Sequence, residues 1–226
     1  MKLHEFTNGL YPRRITIYLA EKSLGAVERV AHTPDQTWPP ESIRAISPRG
    51  TVPILEIPGE GIIRASMAIL EYLEEKHPEP TMIGTTPEAR AQVRELVGLA
   101  DEMTTHFVVW SHKGSDMYKA SGEIDLAVGG FAAKNYYRRL DQLEEMVSTI
   151  GGRFLSGDEV TIADCVLMAT VQFADALYGV PMTDERPVLQ RWYRDFLTRP
   201  SAVGCEYPAG ALAVARGLPE QCPPSG

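Results

Sequence analysis

The chain has 226 residues, 44% hydrophobic and 23% charged, with a formal net charge of −8. It is long enough for one large or two small cores, and its acidic balance with scattered Lys and Arg excludes the basic patch of a nucleic-acid surface. Cys165, Cys205 and Cys222 have neither metal spacing nor a C-x-x-C pair, the opening stretch lacks an apolar signal core, and no run reaches the roughly 18 apolar residues of a membrane span, so a cytoplasmic protein without metal, disulfide framework or membrane segment is expected.

Lys2–Phe6 alternates briefly as a strand, Thr7–Tyr11 reads as a loop, and Pro12 opens a helix to about Lys22 with Ile15, Ile17, Tyr18 and Leu19 apolar. A strand near Val27–Val30 follows, which gives a β-α-β unit with parallel strands. Thr33–Pro48 is polar and proline-rich, a long loop with one helical turn around Glu41–Ala45. Thr51–Ile57 and Ile62–Ile63 then flank Pro58-Gly59-Glu60-Gly61, the turn chemistry of a β-hairpin. Ser66 stands as N-cap to a helix whose apolar stripe is Met67, Ile69, Leu70 and Leu73.

Proline cannot donate to a ladder, so Val52-Pro53 inside the first hairpin strand marks either an edge position or a cis bond. With a cis bond, the Val52 N–H and C=O face outward and can pair with a short extended peptide. The N-terminus of the Ser66 helix, one strand away, suits a carboxylate of the same ligand. The residues alone describe either a site for a small peptide-like anion, or an edge proline beside an ordinary capping serine.

His77–Pro87, rich in proline, glycine and threonine, breaks the pattern and is the expected domain boundary. Beyond it the chain reads as helical throughout, with long segments over Glu88–His112 and Glu123–Ile150 and a weak point or close contact at Gly129-Gly130. Thr161-Ile162-Ala163-Asp164 is a capping box, with Val160 and Cys165 as its staple, and starts a helix to about Tyr178. Pro187–Thr198 carries Leu189, Trp192, Tyr193, Phe196 and Leu197 on one stripe. The Walker A loop, the Gly-x-Ser-x-Gly elbow and the His-Glu-x-x-His helix are absent, which removes the usual nucleotide, esterase and zinc-hydrolase readings.

Gly50-Thr51-Val52-Pro53 followed by Arg64-Ala65-Ser66-Met67-Ala68-Ile69 resembles the glutathione transferase (GST) superfamily. The resemblance covers nearly the whole chain, including the Thr161–Asp164 box and Leu189-Gln190-Arg191-Trp192-Tyr193 before Arg199-Pro200-Ser201. It implies the GST fold: an α/β thioredoxin-like domain over residues 1–78 that binds glutathione, and an all-α C-terminal domain over residues 87–226 that binds the second substrate. Val52, Pro53 and Ser66 match glutathione-binding positions of the family, whereas Ala65 stands where the family keeps Glu or Gln. Trp38, with Gln36 near it, falls closest to the position that serves the glycine carboxylate, and Arg49 or Arg13 is the alternative source of charge. Gly9 occupies a place where serine is common, which leaves Thr7, Asn8 and Tyr11 as nearby donors; Asn8 and Tyr11 are the catalytic candidates, with a pocket-wall role as the alternative for Tyr11.

If the first long helix faces the N-terminal domain, as the resemblance implies, Met103, His106, Phe107 and Trp110 join Tyr11 around an apolar pocket, with Met117 or Tyr118 beside them; core packing is the other account of their 3–4 spacing. Asp101 is either exposed or in reach of the ligand's ammonium across a dimer interface. The resemblance implies a homodimeric cytoplasmic transferase of the detoxification type, with glutathione as co-substrate, that conjugates it to a small hydrophobic electrophile or uses it to transform one. The alternatives are a non-catalytic interaction module, which Ala65 and Gly9 favour, and a glutathione-dependent lyase, isomerase or reductase.

Overall fold

Four short strands and eight helices make up the computed structural model, which describes residues 1–32, 39–204 and 206–218. The alternation at the start of the chain gives β1 (Lys2–Glu5), which pairs in parallel with β2 (Glu28–Ala31) and antiparallel with β3 (Ile54–Ile57). The hairpin adds β4 (Gly61–Arg64), and the sheet order is β2-β1-β3-β4. Leu3 and Leu55 are fully buried on one face, against α1 (Leu10–Glu21) and α3 (Ser66–Lys76), whose Ile15, Ile17, Tyr18, Ile69, Leu70 and Leu73 complete that layer. A single turn, α2 (Glu41–Arg44), buries Ile43.

The helical half begins with α4 (Pro87–Gly114), capped by Thr86, whose hydroxyl accepts from the Ala89 N–H at 3.2 Å. After a 3₁₀ turn over Asp116–Ser121 comes α5 (Leu126–Ile150), which starts three residues later than its periodicity predicts. Asp125 sets that start, because its carboxylate accepts from the N–H groups of Ala127 and Val128. Gly129 and Gly130 leave α5 unbroken, and Gly129 lies against the α4 backbone, where a Cβ would sit in ordinary contact at 3.5 Å.

Almost wholly buried, α6 (Ile162–Tyr178) packs against both α1 and α4. Its capping box forms as read, with the Thr161 N–H donating to Asp164 Oδ2 at 2.8 Å, and the same buried carboxylate accepts from Leu155 N–H and Trp192 Nε1. α7 (Pro187–Leu197) buries Leu189, Trp192 and Phe196, and α8 (Ala209–Ala215) follows.

The two halves are joined by buried polar contacts. Glu74 of α3 accepts from Tyr18 Oη at 2.7 Å and from the linker's Met82 N–H at 2.7 Å and pairs with Lys22 Nζ at 2.9 Å, and the Met82 C=O in turn accepts from the Ile162 N–H of α6 at 2.9 Å. Glu21 of α1 pairs with Arg199 and accepts from the Ser201 hydroxyl. Among the described residues no helix is long and apolar enough to cross a membrane.

Candidate functional site

Because β1 and β4 are each antiparallel to β3, they run the same way, and the helices that follow them begin at one edge of the sheet. α1 starts after Gly9 and α3 after Ala65; neither has a side-chain cap or an acidic residue in its first turn. Two positive helix ends, whose first N–H groups have no partner among the described residues, therefore open side by side, the local chemistry of an anion site. Ser66, read as the N-cap, is instead the first residue of α3, and its cap Ala65 is held at φ 73° and ψ 130°. A side chain at such a φ costs on the order of 1–3 kcal/mol, and strain of this kind concentrates at functional sites.

Arg14 sits beneath this edge, 1% exposed. Its Nη1 lies 2.6 Å from Asp101 Oδ1 and 3.4 Å from Ser66 Oγ, and Nη2 donates to Thr104 Oγ1 at 3.0 Å. Residues of α3 and α4 thus converge on the α1 guanidinium, and α6 reaches it through Thr170, whose hydroxyl meets that of Thr104 at 2.7 Å. Arg14 Nε is buried without a partner among the described residues, and Cζ lies 4.9 Å from the centre of the Tyr11 ring. A half-exposed carboxylate, a hydroxyl and free N–H groups thus face one space, complementary to an ammonium beside a carboxylate.

The Val52-Pro53 bond is cis, and the strand expected from Thr51 begins only at Ile54. Val52 is half-buried and its N–H and C=O have no hydrogen-bond partner among the described residues. Gly50, two residues earlier, is at φ 65° and so close to Pro39 that a Cβ would lie 2.2 Å from its ring.

At the other end of the edge, the Gly9 N–H is taken by Phe6 C=O at 2.9 Å, while Leu10 and Tyr11 supply the free N–H groups. Asn8, at φ 65°, donates its amide to Glu206 C=O at 2.9 Å, and Tyr207 Oη donates to Asn8 C=O at 2.9 Å. Arg13 is engaged by Gln172 and by the carbonyls of Ser201 and Val203. Burial raises the Tyr11 pKa, with Arg14 opposing and Asp101 assisting, so the phenol is a donor at neutral pH.

The residues expected either at a pocket wall or in the core lie as follows. Met103 and Phe107 are fully buried and Trp110 is 2% exposed; Phe107 and Trp110 meet Tyr136, and Phe107 also meets Phe173 and Tyr178, so these three residues belong to the core between α4, α5 and α6. His106 lies toward Arg139, Arg138 and Glu102, on the α5 side of α4, and burial followed by Arg139 lowers its pKa. Near the Asn8 loop the aromatic residues are Tyr11, Phe173 and Tyr207, the last two with ring centres 6.2 Å apart. Trp38 and Gln36 lie outside the described residues, and Arg49 is exposed.

Sequence reasoning missed Arg14, Thr104, Thr170, Phe173 and Tyr207. One signal for Arg14 was present: it is a cation at the helical spacing of Leu10, Ile17 and Tyr18, on the stripe that faces the core.

Comparison with known proteins places this architecture. Residues 3–81 match the glutathione S-transferase N-terminal domain and residues 132–200 the glutathione S-transferase C-terminal domain. Maleylacetoacetate isomerase of Dictyostelium discoideum is 30% identical over 165 residues, 70% of each chain. Probable maleylacetoacetate isomerase 2 of Drosophila melanogaster is 31% identical over 131 residues, and there the match spans 53% of the relative's length. Among solved structures, a glutathione S-transferase from Methylobacillus flagellatus KT, with glutathione bound in its own crystal, superposes with a TM-score of 0.76 at 22% identity, over 89% of this chain and 96% of that one. The chain belongs to the glutathione S-transferase family.

Proposed function

We propose that the protein is a glutathione-dependent enzyme that uses the bound thiol against a small electron-poor substrate, with cis–trans isomerisation as the preferred reaction. The observation that carries this reading is the convergence of Ser66, Asp101 and the uncapped α3 N-terminus on the buried Arg14, beside the unpaired Val52 backbone. In this reading the γ-glutamyl ammonium meets Asp101, its carboxylate meets Ser66 and the α3 N–H groups, and Val52 pairs with the peptide backbone. The loss of an acidic or amide side chain at Ala65 is offset by that N-terminus. The thiol then lies toward the Leu10 and Tyr11 N–H groups, with Tyr11 as a further donor.

Isomerisation is preferred because the Dictyostelium and Drosophila relatives carry isomerase names. The chemistry is balanced within the site: the thiolate adds to one carbon of a conjugated double bond, the bond rotates as a single bond, and expulsion of the thiolate restores the alkene and the glutathione. Conjugation differs only in that the adduct is protonated and released. We take a cytoplasmic homodimer as the working form, testable by sedimentation.

Calorimetric titration with glutathione tests the reading. Binding is expected, weakened by about 1–2 kcal/mol in Ser66→Ala, which removes one hydrogen bond to a charged group. No binding at millimolar glutathione would overturn it. Gly9 favours a second reading, an interaction module with the same fold: glutathione would bind, but no maleyl-type alkene or generic electrophile would turn over.

A further inference from the structure

The sheet face away from α1 and α3 carries a line of polar side chains that the glutathione site does not use. The register places His4, Val30, Ile54 and Arg64 on this face, together with Lys2, Glu28, Glu56 and Ile62. His4 Nε2 lies 3.1 Å from Glu56 Oε2, and His4 Nδ1 lies 3.0 Å from His32 Nε2. His32 Nδ1 in turn lies 3.0 Å from Ser42 Oγ on α2. The imidazole centres are 5.3 Å apart with the planes 34° from parallel, so the rings meet nitrogen to nitrogen. His4 is 6% exposed, while Ser42 reaches the surface.

Each contact in this line holds one hydrogen. With both imidazoles neutral and Glu56 ionised, one arrangement satisfies all three: Ser42 Oγ donates to His32 Nδ1, His32 Nε2 donates to His4 Nδ1, and His4 Nε2 donates to Glu56. One more proton, entering at the exposed Ser42 end, shifts the bridging hydrogens of the Ser42–His32 and His32–His4 contacts across, while the His4 Nε2 hydrogen stays in place toward Glu56. The Ser42 hydrogen passes to His32 Nδ1 and is replaced from solvent; the His32 Nε2 hydrogen passes to His4 Nδ1. His4 then carries the charge beside the Glu56 carboxylate, and His32 donates to Ser42. A second proton would set two N–H groups against each other across 3.0 Å.

We propose that the Ser42–His32–His4–Glu56 line is a one-proton switch, in which uptake reverses the Ser42–His32 and His32–His4 hydrogen bonds and turns Ser42 from a donor to His32 into an acceptor with its own O–H released outward. Among the described residues, the other charged groups on this face or on α2 are Lys2, Glu28 and Arg64 on the strands and Glu41 and Arg44 on the helix. Glu41 and Arg44 pair at 3.2 Å, and Arg64 is held by Ser47 Oγ and Ile46 C=O. Burial, then the neighbouring His4, lowers the His32 pKa, in keeping with single occupancy of the pair. The switch acts on the seat of α2, whose preceding Pro39 touches Gly50 at the approach to Val52.

Nitrogen-15 spectra of the histidine side chains, recorded on the intact protein from pH 8 to 5.5, test this directly. His32 is expected to change from the Nε2–H to the Nδ1–H tautomer in the same step in which His4 becomes doubly protonated. Glu56→Gln should move that step to lower pH by about one unit, since the cation loses its carboxylate. A His32 that keeps Nε2–H throughout, two imidazoles that take up protons independently, or an unmoved step in Glu56→Gln would overturn the proposal.

Discussion

Arg14 is the residue on which the candidate site depends most. A buried cation is tolerated when its charge is paired and most of its donors are met, and here the partners of the two terminal nitrogens come from Ser66, Asp101 and Thr104, the last 90 residues away. That distance is why the residue was legible only as an oddity on an apolar stripe. Lys at this position supplies a point charge that cannot span Asp101 and Thr104 together. Arg14→Lys is expected to lose about 2 kcal/mol of stability in urea unfolding, discounted because Asp101 is half exposed. Its glutathione affinity should fall about tenfold or more by calorimetry, since Ser66 and Asp101 lose their common anchor. Tyr11→Phe keeps the ring over Arg14 and removes the donor. If the phenol serves the sulfur, the bound thiol titrates higher and turnover falls about tenfold, at about 1.4 kcal/mol per factor of ten. An unchanged thiolate absorbance titration assigns that role to the Leu10 and Tyr11 N–H groups.

Elements whose determinants are local were readable in advance: the β-α-β opening, the hairpin turn, the Thr161–Asp164 box and the lengths of α4 and α6. The Ser66 start was misplaced by one residue because nothing in the sequence announces that Ala65 takes a positive φ. For the α4 residues the sequence left two accounts open, core packing and a pocket wall, for a different reason. A helix between several neighbours shows apolar residues at 3–4 spacing on more than one face, and periodicity does not say that Met103, Phe107 and Trp110 turn to α5 and α6. The approach to β3 depends on Gly50, which combines φ 65° with the nearby Pro39 ring. Gly50→Ala is expected to cost more than about 2 kcal/mol, from backbone strain plus displacement of Pro39. Thermal melting checks the loss, and glutathione titration should show weakened binding in the same variant if Val52 pairs with the ligand.

Across the whole molecule, the two halves are locked by Glu21 with Arg199 and Ser201 and by the Met82 C=O, which accepts from the Ile162 N–H, while Glu74 anchors the Met82 end of the linker to Tyr18 and Lys22. The fold class was legible because sheet and helices change over near residue 80, whereas these locks, made across long separations, were not. Burial alone would raise the Glu21 pKa, but Arg199 and Ser201 outweigh it and hold the carboxyl below its usual value. Its contribution is therefore complete above the unfolded-state value of about 4.3 and fades as pH falls through the lower folded value. Glu21→Gln is expected to be less stable than the parent at pH 7, with a shallower loss below about pH 4.5; parallel urea titrations at pH 7 and 3.5 measure both. The contacts of Asn8 with Glu206 and Tyr207 tie the first loop to a segment almost two hundred residues later. On a ribosome that loop is among the first parts made, yet its clamp arrives only after the sheet and the helices through α7 have been synthesised. Assembly of the site thus waits for a late stretch of translation, and a nascent chain stopped near residue 200 would hold its main helices without a fixed Asn8 turn, folded but idle.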